Sequence, residues 1–297
     1  FMGTPEFAVE VLRRVVEDGW DVVAAYTQPD KPKNRGMKLI PTPVKEYAMS
    51  VGIPVYQPQS CRDEETLAQI RSLEPDVILV AAYGKLLPQA LLDIPKVAIL
   101  NVHSSLLPQY RGAAPINWAV LNGDAETGVT IQYMAAELDA GDILLTERTA
   151  IADDEDAGQL YNRLAALGGK AASEALRRLR DGTATRTPQV YGPQYQYASL
   201  LSREMSPIDW NKNARVIVNQ VRGLIPWPCA TTDVAGVRWK VYRAEPGEAT
   251  DRAPGTILSA DKAGIVVAAG EGTSVRITEL QADGGRRMAA ADYLRGH

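Results

Sequence analysis

The chain of 297 residues is poor in sulfur and imidazole, with two cysteines and two histidines. Cys61 and Cys229 stand far apart in neither a redox-type nor a metal-type spacing, which argues against a disulfide framework and suits a reducing compartment, the cytoplasm. With so few thiol and imidazole side chains, no protein-ligated transition metal is expected. No apolar run approaches the roughly 18 residues that span a bilayer, and the first residues show no basic segment followed by an apolar one. Neither membrane insertion nor export is expected. Nucleotide signatures are missing as well. No G-x-G-x-x-G follows the first strand and no G-x-x-x-x-G-K-[ST] occurs, so neither a dinucleotide cofactor nor a nucleoside triphosphate is indicated. There is no G-x-S-x-G elbow, and Ser104-Ser105 lacks the strand-turn-helix glycines that expose a serine nucleophile.

What remains is a globular composition, 45% hydrophobic and 23% charged, long enough to bury the cores of two domains. Gly3-Thr4-Pro5-Glu6-Phe7 reads as a tight turn feeding a helix, with Thr4 as N-cap, Pro5 at the first helical position and Phe7, Val11, Leu12 and Val15 along one side. Such a turn follows a strand, and few residues of that strand precede it here. Apolar strand-like runs at 21–27, 76–83 and 97–103 alternate with helical patterns such as 64–73. That alternation predicts an α/β fold: an open, twisted, mainly parallel sheet with helices on both faces. A helix at 116–121, strands at 128–134 and 143–147 flanking Leu138-Asp139-Ala140-Gly141-Asp142, and a helix at 157–180 stopped by Asp181-Gly182 complete a first domain, residues 1–182. Residues 183–204, rich in Thr, Gln, Tyr and Pro, read as a linker packed through its tyrosines. Over 205–297 a helix at 214–224 precedes short strand-like runs at 238–242, 255–258, 264–269 and 274–280, the spacing of a small β-barrel.

Charge divides between these parts. Residues 205–297 hold 12 Lys and Arg against 10 Asp and Glu, and the first 204 hold 20 against 26. A mildly basic barrel beside an acidic domain is compatible with a nucleic-acid partner. More pointed is Lys31-Pro32-Lys33-Asn34-Arg35-Gly36-Met37-Lys38, four cations in eight residues after the second strand. A loop made basic for solubility and a loop that contacts phosphate carry equal weight there.

The densest stretch surrounds the internal histidine: Asn101-Val102-His103-Ser104-Ser105-Leu106-Leu107-Pro108-Gln109-Tyr110-Arg111-Gly112-Ala113-Ala114-Pro115. Val97-Ala98-Ile99-Leu100 before it has the character of a buried strand, so Asn101 and His103, two apart, turn to one face at its end. Taken singly, each residue reads as structural, a satisfied histidine and a turn-capping asparagine. Together with a Pro-, Gly- and Arg-containing loop directly after a buried strand, they mark the usual ligand site of an open α/β sheet.

The run Asn101 to Pro108, continued by Tyr110-Arg111-Gly112-Ala113-Ala114-Pro115 and joined by Leu138-Asp139-Ala140-Gly141-Asp142, resembles the 10-formyltetrahydrofolate-dependent formyltransferases. The opening Gly3-Thr4-Pro5-Glu6-Phe7-Ala8, the stretches Tyr26-Thr27-Gln28-Pro29-Asp30-Lys31-Pro32, Arg35-Gly36 and Pro41-Thr42-Pro43-Val44-Lys45, and the late Trp227-Pro228 resemble the branch of that family whose amine substrate is methionyl-tRNA. Gln109 departs from the pattern, where the family often carries a basic residue, and this touches binding strength more than identity. The chain stops soon after Tyr293-Leu294, short of a tail that the family usually has.

The resemblance implies a Rossmann-like catalytic domain and an OB-like carboxyl-terminal domain that binds tRNA. It implies that Asn101, His103 and Asp139 form the catalytic group and that Ser105, Leu106, Leu107 and Pro108 line the folate site. Lys31, Lys33, Arg35 and Lys38 would meet the acceptor end of initiator methionyl-tRNA, with 10-formyltetrahydrofolate as co-substrate and the protein a monomer. The chemistry suits those residues. When an amine attacks a formyl carbon, negative charge develops on the formyl oxygen, and Asn101 with a protonated His103 supplies two donors to it. Asp139 beside the imidazole favours its charged form and accepts a proton from the amine through water; Asp142 has the makings of a plain turn residue. Other readings stay open: the same triad formylating an amino sugar or a purine precursor, or hydrolysing formyl-folate, and, from another class, an RNA-binding protein that kept the fold without activity. The basic loop and the attached barrel favour tRNA.

Overall fold

A computed structural model describes residues 1–33 and 38–296. The chain divides into two compact units, the first made of Phe1–Gly112, Thr127–Thr149 and Tyr161–Tyr197, the second of Ala113–Glu126, Ala150–Leu160 and Ala198–His297.

In chain order the first unit opens with β1 (Met2–Gly3), α1 (Glu6–Glu17), β2 (Ala25–Tyr26), the pair β3 (Lys31–Lys33) and β4 (Lys38–Ile40), α2 (Pro43–Ser50), β5 (Val55–Tyr56) and α3 (Glu64–Ser72). It continues through β6 (Val77–Ala81), α4 (Gln89–Leu92) and β7 (Ala98–His103); after α5 (Pro115–Leu121) come β8 (Glu126–Tyr133), β9 (Ile143–Ala150) and α6 (Ala157–Asp181). Seven strands form one sheet in the order β5-β2-β1-β6-β7-β8-β9. The pairs β5-β2, β2-β1, β1-β6 and β6-β7 are parallel and β7-β8 is antiparallel. A parallel sheet needs cover on both faces, so its strands read as unbroken apolar runs. Ile78, Leu79, Val80 and Ala81 of β6 are accordingly all buried, and Ile78, Val80, Ile99, Tyr26, Leu67 and Ile70 share one core. The strand order reverses between β1 and β6, the kind of switch point at whose carboxyl strand ends open α/β sheets bind ligands.

Two local readings are corrected. Pro5, not Thr4, is the N-cap of α1, and no side chain caps that helix. The Thr4 hydroxyl instead donates to Tyr83 O at 3.0 Å, tying the end of β1 to the loop after β6. The strand expected over 21–27 is confined to Ala25–Tyr26, because the ladder with β1 is one residue pair long.

In the second unit, α5 packs on α7 (Ala214–Gly223), where Asn117 Nδ2 donates to Gly223 O at 2.8 Å. A Cβ on Gly223 would stand 2.7 Å from Leu121 Cγ, so glycine permits the close approach. Beyond α7 lie β10 (Ala230–Val234), β11 (Val237–Pro246), β12 (Ile257–Asp261), β13 (Gly264–Ala268), β14 (Ser274–Ala282), β15 (Met288–Ala289) and α8 (Ala290–Gly296). They form an antiparallel sheet in the order β10-β11-β14-β13-β12, with β15 on β14. Ala235 and Gly236 join β10 to β11 with φ of 49° and 81°, the left-handed pair that a two-residue hairpin requires. Along β11, Trp239 and Val241 turn inward while Arg238 and Lys240 are exposed, the alternation of a sheet with one solvated face. Among the described residues β10 and β12 share no ladder, so strand pairing leaves the barrel open at that seam.

Both cysteines are free and buried. Among the described residues no helix is long and apolar enough to cross a membrane, and no group of three or more His, Cys, Asp or Glu side chains is placed to hold a metal ion.

Gly128 of β8 sets a packing limit: a Cβ there would stand 2.0 Å from Glu147 O on β9 and 2.6 Å from Leu106 Cδ2. Gly128→Ala must push β8 and β9 apart, and overpacking of this kind should cost about 1–3 kcal/mol. Urea unfolding of the variant reads it as a lowered midpoint at unchanged slope; an unchanged midpoint contradicts the close approach.

Candidate active site

The site is built at the carboxyl end of β7, where it pairs with β8. Their register pairs Asn101 with Gln132 and His103 with Thr130. Directly opposed residues of an antiparallel pair share a face, so four polar side chains line one side of an otherwise apolar ladder. Asn101 is half-buried, and among the described residues its carboxamide hydrogen-bonds to no protein group. His103 is buried, and its Nε2 lies 2.8 Å from Tyr110 O. A carbonyl oxygen has no proton to give, so Nε2 carries the hydrogen and donates it. Nδ1 then faces the carboxylate of Asp139, 3.6 Å from Oδ1.

Asp139 belongs to the turn between β8 and β9. Its φ of 51° is left-handed, a region that aspartate tolerates better than most residues. Gly141 is required two residues on, because a Cβ there would fall 1.6 Å from Tyr133 O. The carboxylate is 9% exposed and satisfied on both oxygens, Oδ2 accepting from Gly112 N at 2.9 Å and Oδ1 from Gln132 Nε2 at 3.1 Å. The structure therefore brings Asn101, His103 and Asp139 onto one face.

The loop after β7 is pinned from within. Thr130 Oγ1 donates to Ser105 O at 2.7 Å and accepts from Leu107 N at 3.1 Å, and Ser105 Oγ donates to Gln109 O at 2.6 Å. Ser105 and Leu107 are buried, whereas Leu106 and Pro108 are half-buried. Tyr110 has a φ of 60°, and its side chain is buried. The backbone bend at this residue aims its carbonyl at His103.

Among the basic residues, Lys31 and Lys38 are exposed at the ends of the β3-β4 pair. Lys33 closes β3, and Arg35 lies outside the described residues. Just before the pair, the Lys45 ammonium 2.8 Å from Asp30 Oδ2, helped by Gln57 Nε2 at 2.7 Å, holds the Asp30 carboxyl below its usual range. On the outer side of the Asp139 turn, burial raises the Tyr133 phenol, partly offset by the Arg186 guanidinium 3.7 Å over its ring.

Several residues around the triad escaped the sequence reading. Gln132 hides in a strand that reads as apolar with polar interruptions, and only its pairing with Asn101 reveals it. Arg111, inside the quoted run, is buried with its guanidinium over the Tyr191 ring at 4.4 Å. Gln189 Nε2 donates to Asp139 O at 2.8 Å and to Gly141 O at 2.7 Å. It is fifty residues from Asp139 in sequence, and neither periodicity nor motif points to it.

The chain matches known proteins from end to end. The formyl transferase family model covers residues 1–176, and the model of the formyl transferase carboxyl-terminal domain covers 200–297. The methionyl-tRNA formyltransferase of Geobacter metallireducens is 49% identical over 100% of this chain and 94% of its own length. That of Acetivibrio thermocellus is 47% identical over 100% and 96%. Among solved structures, WlaRD, a sugar 3N-formyl transferase crystallised with dTDP and 5-N-formyl-THF, superposes with a TM-score of 0.69 at 15% identity, covering 93% of this chain and 95% of its own. HypX from Aquifex aeolicus, in complex with tetrahydrofolic acid, gives 0.59 at 20% identity over 84% and 43%. At such identities the two structures speak for the fold alone. The chain belongs to the formyltransferase family, in the branch of the methionyl-tRNA formyltransferases.

Proposed function

We propose that this protein moves the formyl group of 10-formyltetrahydrofolate to the α-amino group of methionine on initiator methionyl-tRNA, in the cytoplasm and as a monomer. The observation that carries the reading is the buried His103, held between Tyr110 O and Asp139, beside an Asn101 carboxamide with no protein partner among the described residues. We read residues 1–182 as the catalytic domain, 183–204 as a connecting segment and 205–297 as the tRNA-binding domain.

The folate supplies an activated formyl group; the side chains supply the rest. As the amine adds, negative charge grows on the formyl oxygen, and a donor already in place stabilises that charge without reorganising. Asn101 Nδ2 is such a donor, because no internal hydrogen bond must break to free it. His103 works differently. Its Nε2 hydrogen is committed to Tyr110 O, so any added proton resides on Nδ1, opposite Asp139. The carboxylate is the counter-charge to that imidazolium and the relay that takes the proton the amine loses and returns it to N10 of the folate as the tetrahedral centre collapses, the bond from the formyl carbon to N10 breaks and tetrahydrofolate leaves. Half-buried Leu106 and Pro108 offer the folate ring an apolar edge, while Ser105 and Leu107 shape the loop from inside. Lys31, Lys33, Arg35 and Lys38 are assigned to phosphates of the acceptor stem. Transfer of radiolabelled formyl to charged initiator tRNA, run against an amino sugar, tests the assignment; faster formylation of the sugar would overturn it.

Two outcomes are specific to these roles. Asn101→Ala should lower kcat by roughly 10²–10³-fold, the usual effect of losing one oxyanion donor, and His103→Ala, which removes the imidazole that pairs with Asp139 in handling the proton, by roughly 10²–10⁴-fold. Folate binding should hold, and turnover within a few-fold of wild type would dismiss both residues from the reaction.

Arg35→Ala should raise the KM for charged tRNA and reduce the slope of log affinity against log salt by about 1, since one fewer counterion is released. Folate affinity should not move. Identical slopes for the two proteins would mean that the basic loop is merely solvated.

A further inference from the structure

The two family models leave a gap, the first ending at residue 176 and the second starting at 200. Into this gap falls a segment that makes close contacts with the candidate triad. Its start is fixed by a short antiparallel bridge, Ile143 N to Thr187 O at 2.8 Å and Thr187 N to Ile143 O at 3.0 Å. Two residues on, Gln189 uses its carboxamide in both senses. Nε2 donates to Asp139 O and Gly141 O, at 2.8 and 2.7 Å, and Oε1 accepts from Arg111 Nε and Nη2, both at 3.1 Å. Arg111 is in turn covered by Tyr191 from the same segment. Farther along, Gln196 O accepts from Tyr110 N at 2.9 Å, and Gln196 N donates to Gln109 Oε1 at 2.7 Å.

These contacts converge on one ring. His103 has two neighbours that define its state, the carbonyl of Tyr110 at Nε2 and the carboxylate of Asp139 at Nδ1. Both neighbours have left-handed backbones, with φ of 60° and 51°, a conformation that costs an L-residue energy and persists only where surrounding contacts fix it. The segment reaches both, Gln189 on the Asp139 side and the Gln196 main chain on the Tyr110 side.

We propose that residues 187–196 are a strap that sets the geometry of the His103–Asp139 pair, with Gln189 as its positioning residue. The proposal rests on the reading of that pair as catalytic. Gln189 meets no reacting atom; it fixes the main chain on either side of Ala140, and so the distance between the carboxylate and Nδ1. Arg111 locks the Gln189 carboxamide in the only orientation that serves, since a guanidinium accepts no hydrogen bond and so requires Oε1 to face it and Nε2 to face the turn.

The test uses the full chain with Gln189→Leu, which removes donors and acceptor, and Gln189→Glu, which keeps the acceptor for Arg111 but places an oxygen against two carbonyls. Misplacing a catalytic group by a fraction of an ångström to about 1 Å costs up to about 100-fold. Both variants should therefore lose about 10–100-fold in kcat, with KM for the folate and for charged tRNA within about threefold of wild type. A second readout is direct, because the chain has only two histidines. In a long-range ¹H–¹⁵N spectrum at fixed pH, the Nδ1 resonance of His103 should move in the Gln189 variants while Nε2 keeps its hydrogen. Asp139→Asn serves as the reference. Wild-type kcat in the Gln189 variants beside an impaired Asp139→Asn overturns the strap, as does a loss confined to KM or a fall in kcat with Nδ1 unmoved. Wild-type turnover in Asp139→Asn overturns the catalytic pair itself. Should Gln189→Leu fail to fold, Gln189→Glu, which retains the contact with Arg111, carries the same expectations.

Discussion

A buried imidazole must satisfy two nitrogens of opposite character, and the surroundings of His103 follow from how that is done. A carbonyl at Nε2 demands a hydrogen there, which leaves Nδ1 as the nitrogen that faces a carboxylate. Neither neighbour comes from an adjacent residue. The carbonyl belongs to Tyr110, seven residues on, and reaches the ring because the loop between them is stapled to Thr130 and bent at a left-handed backbone. Burial of the Tyr110 side chain offsets that strain, an aromatic ring being among the largest apolar surfaces a single residue removes from water. The carboxylate comes from the turn after β8, whose approach depends on Gly141 having no side chain. The ring state is thus set by one loop and one turn, each carried by a strand of the same antiparallel pair.

The centre of this arrangement was legible in sequence, and for an identifiable reason. Asn101 and His103 share a strand, and period two is a local property that can be read without knowing the fold. The strand itself was visible because a parallel strand covered on both faces is apolar throughout. Asp139 was legible only through a motif, since Asp-Ala-Gly-Asp also describes any turn. Gln132 and Gln189 were not legible at all. The first needs the register of β7 against β8, and the second needs a contact fifty residues away; pattern along the chain contains neither. Thr4 shows the same limit in miniature. As a potential cap it was read locally, and its hydroxyl is instead drawn to Tyr83 O across the sheet.

The second unit illustrates a different boundary of sequence reasoning. Its strands were legible as short runs set off by Gly and Asp at close spacing, and β11 is one of them, with Trp239 and Val241 inward against Arg238 and Lys240 outward. Its membership did not. Residues 113–126 precede the second half of the first sheet in sequence yet group with α7, because Asn117 bonds Gly223 O and Leu121 packs on the bare backbone of Gly223. Glycine here marks a helix contact rather than a turn, a distinction that only the partner reveals.

The polar cluster beside β7 is poor evidence of stability, because burying charges costs several kcal/mol per ion before their attraction returns any of it. Arg111 and Asp139 are each almost removed from water and each needs several neighbours to be tolerated there. A core of aliphatic side chains would fill the same space with less desolvation. What the polar version provides is direction: Arg111 orients Gln189, Gln189 and Gly112 fix Asp139, and Asp139 faces His103. Outside these links stands Asn101, on the same strand as His103, whose carboxamide is given no protein partner among the described residues. Such a network leaves one donor with nothing to give up when charge develops nearby, and a donor in that position needs no rearrangement at the moment of reaction.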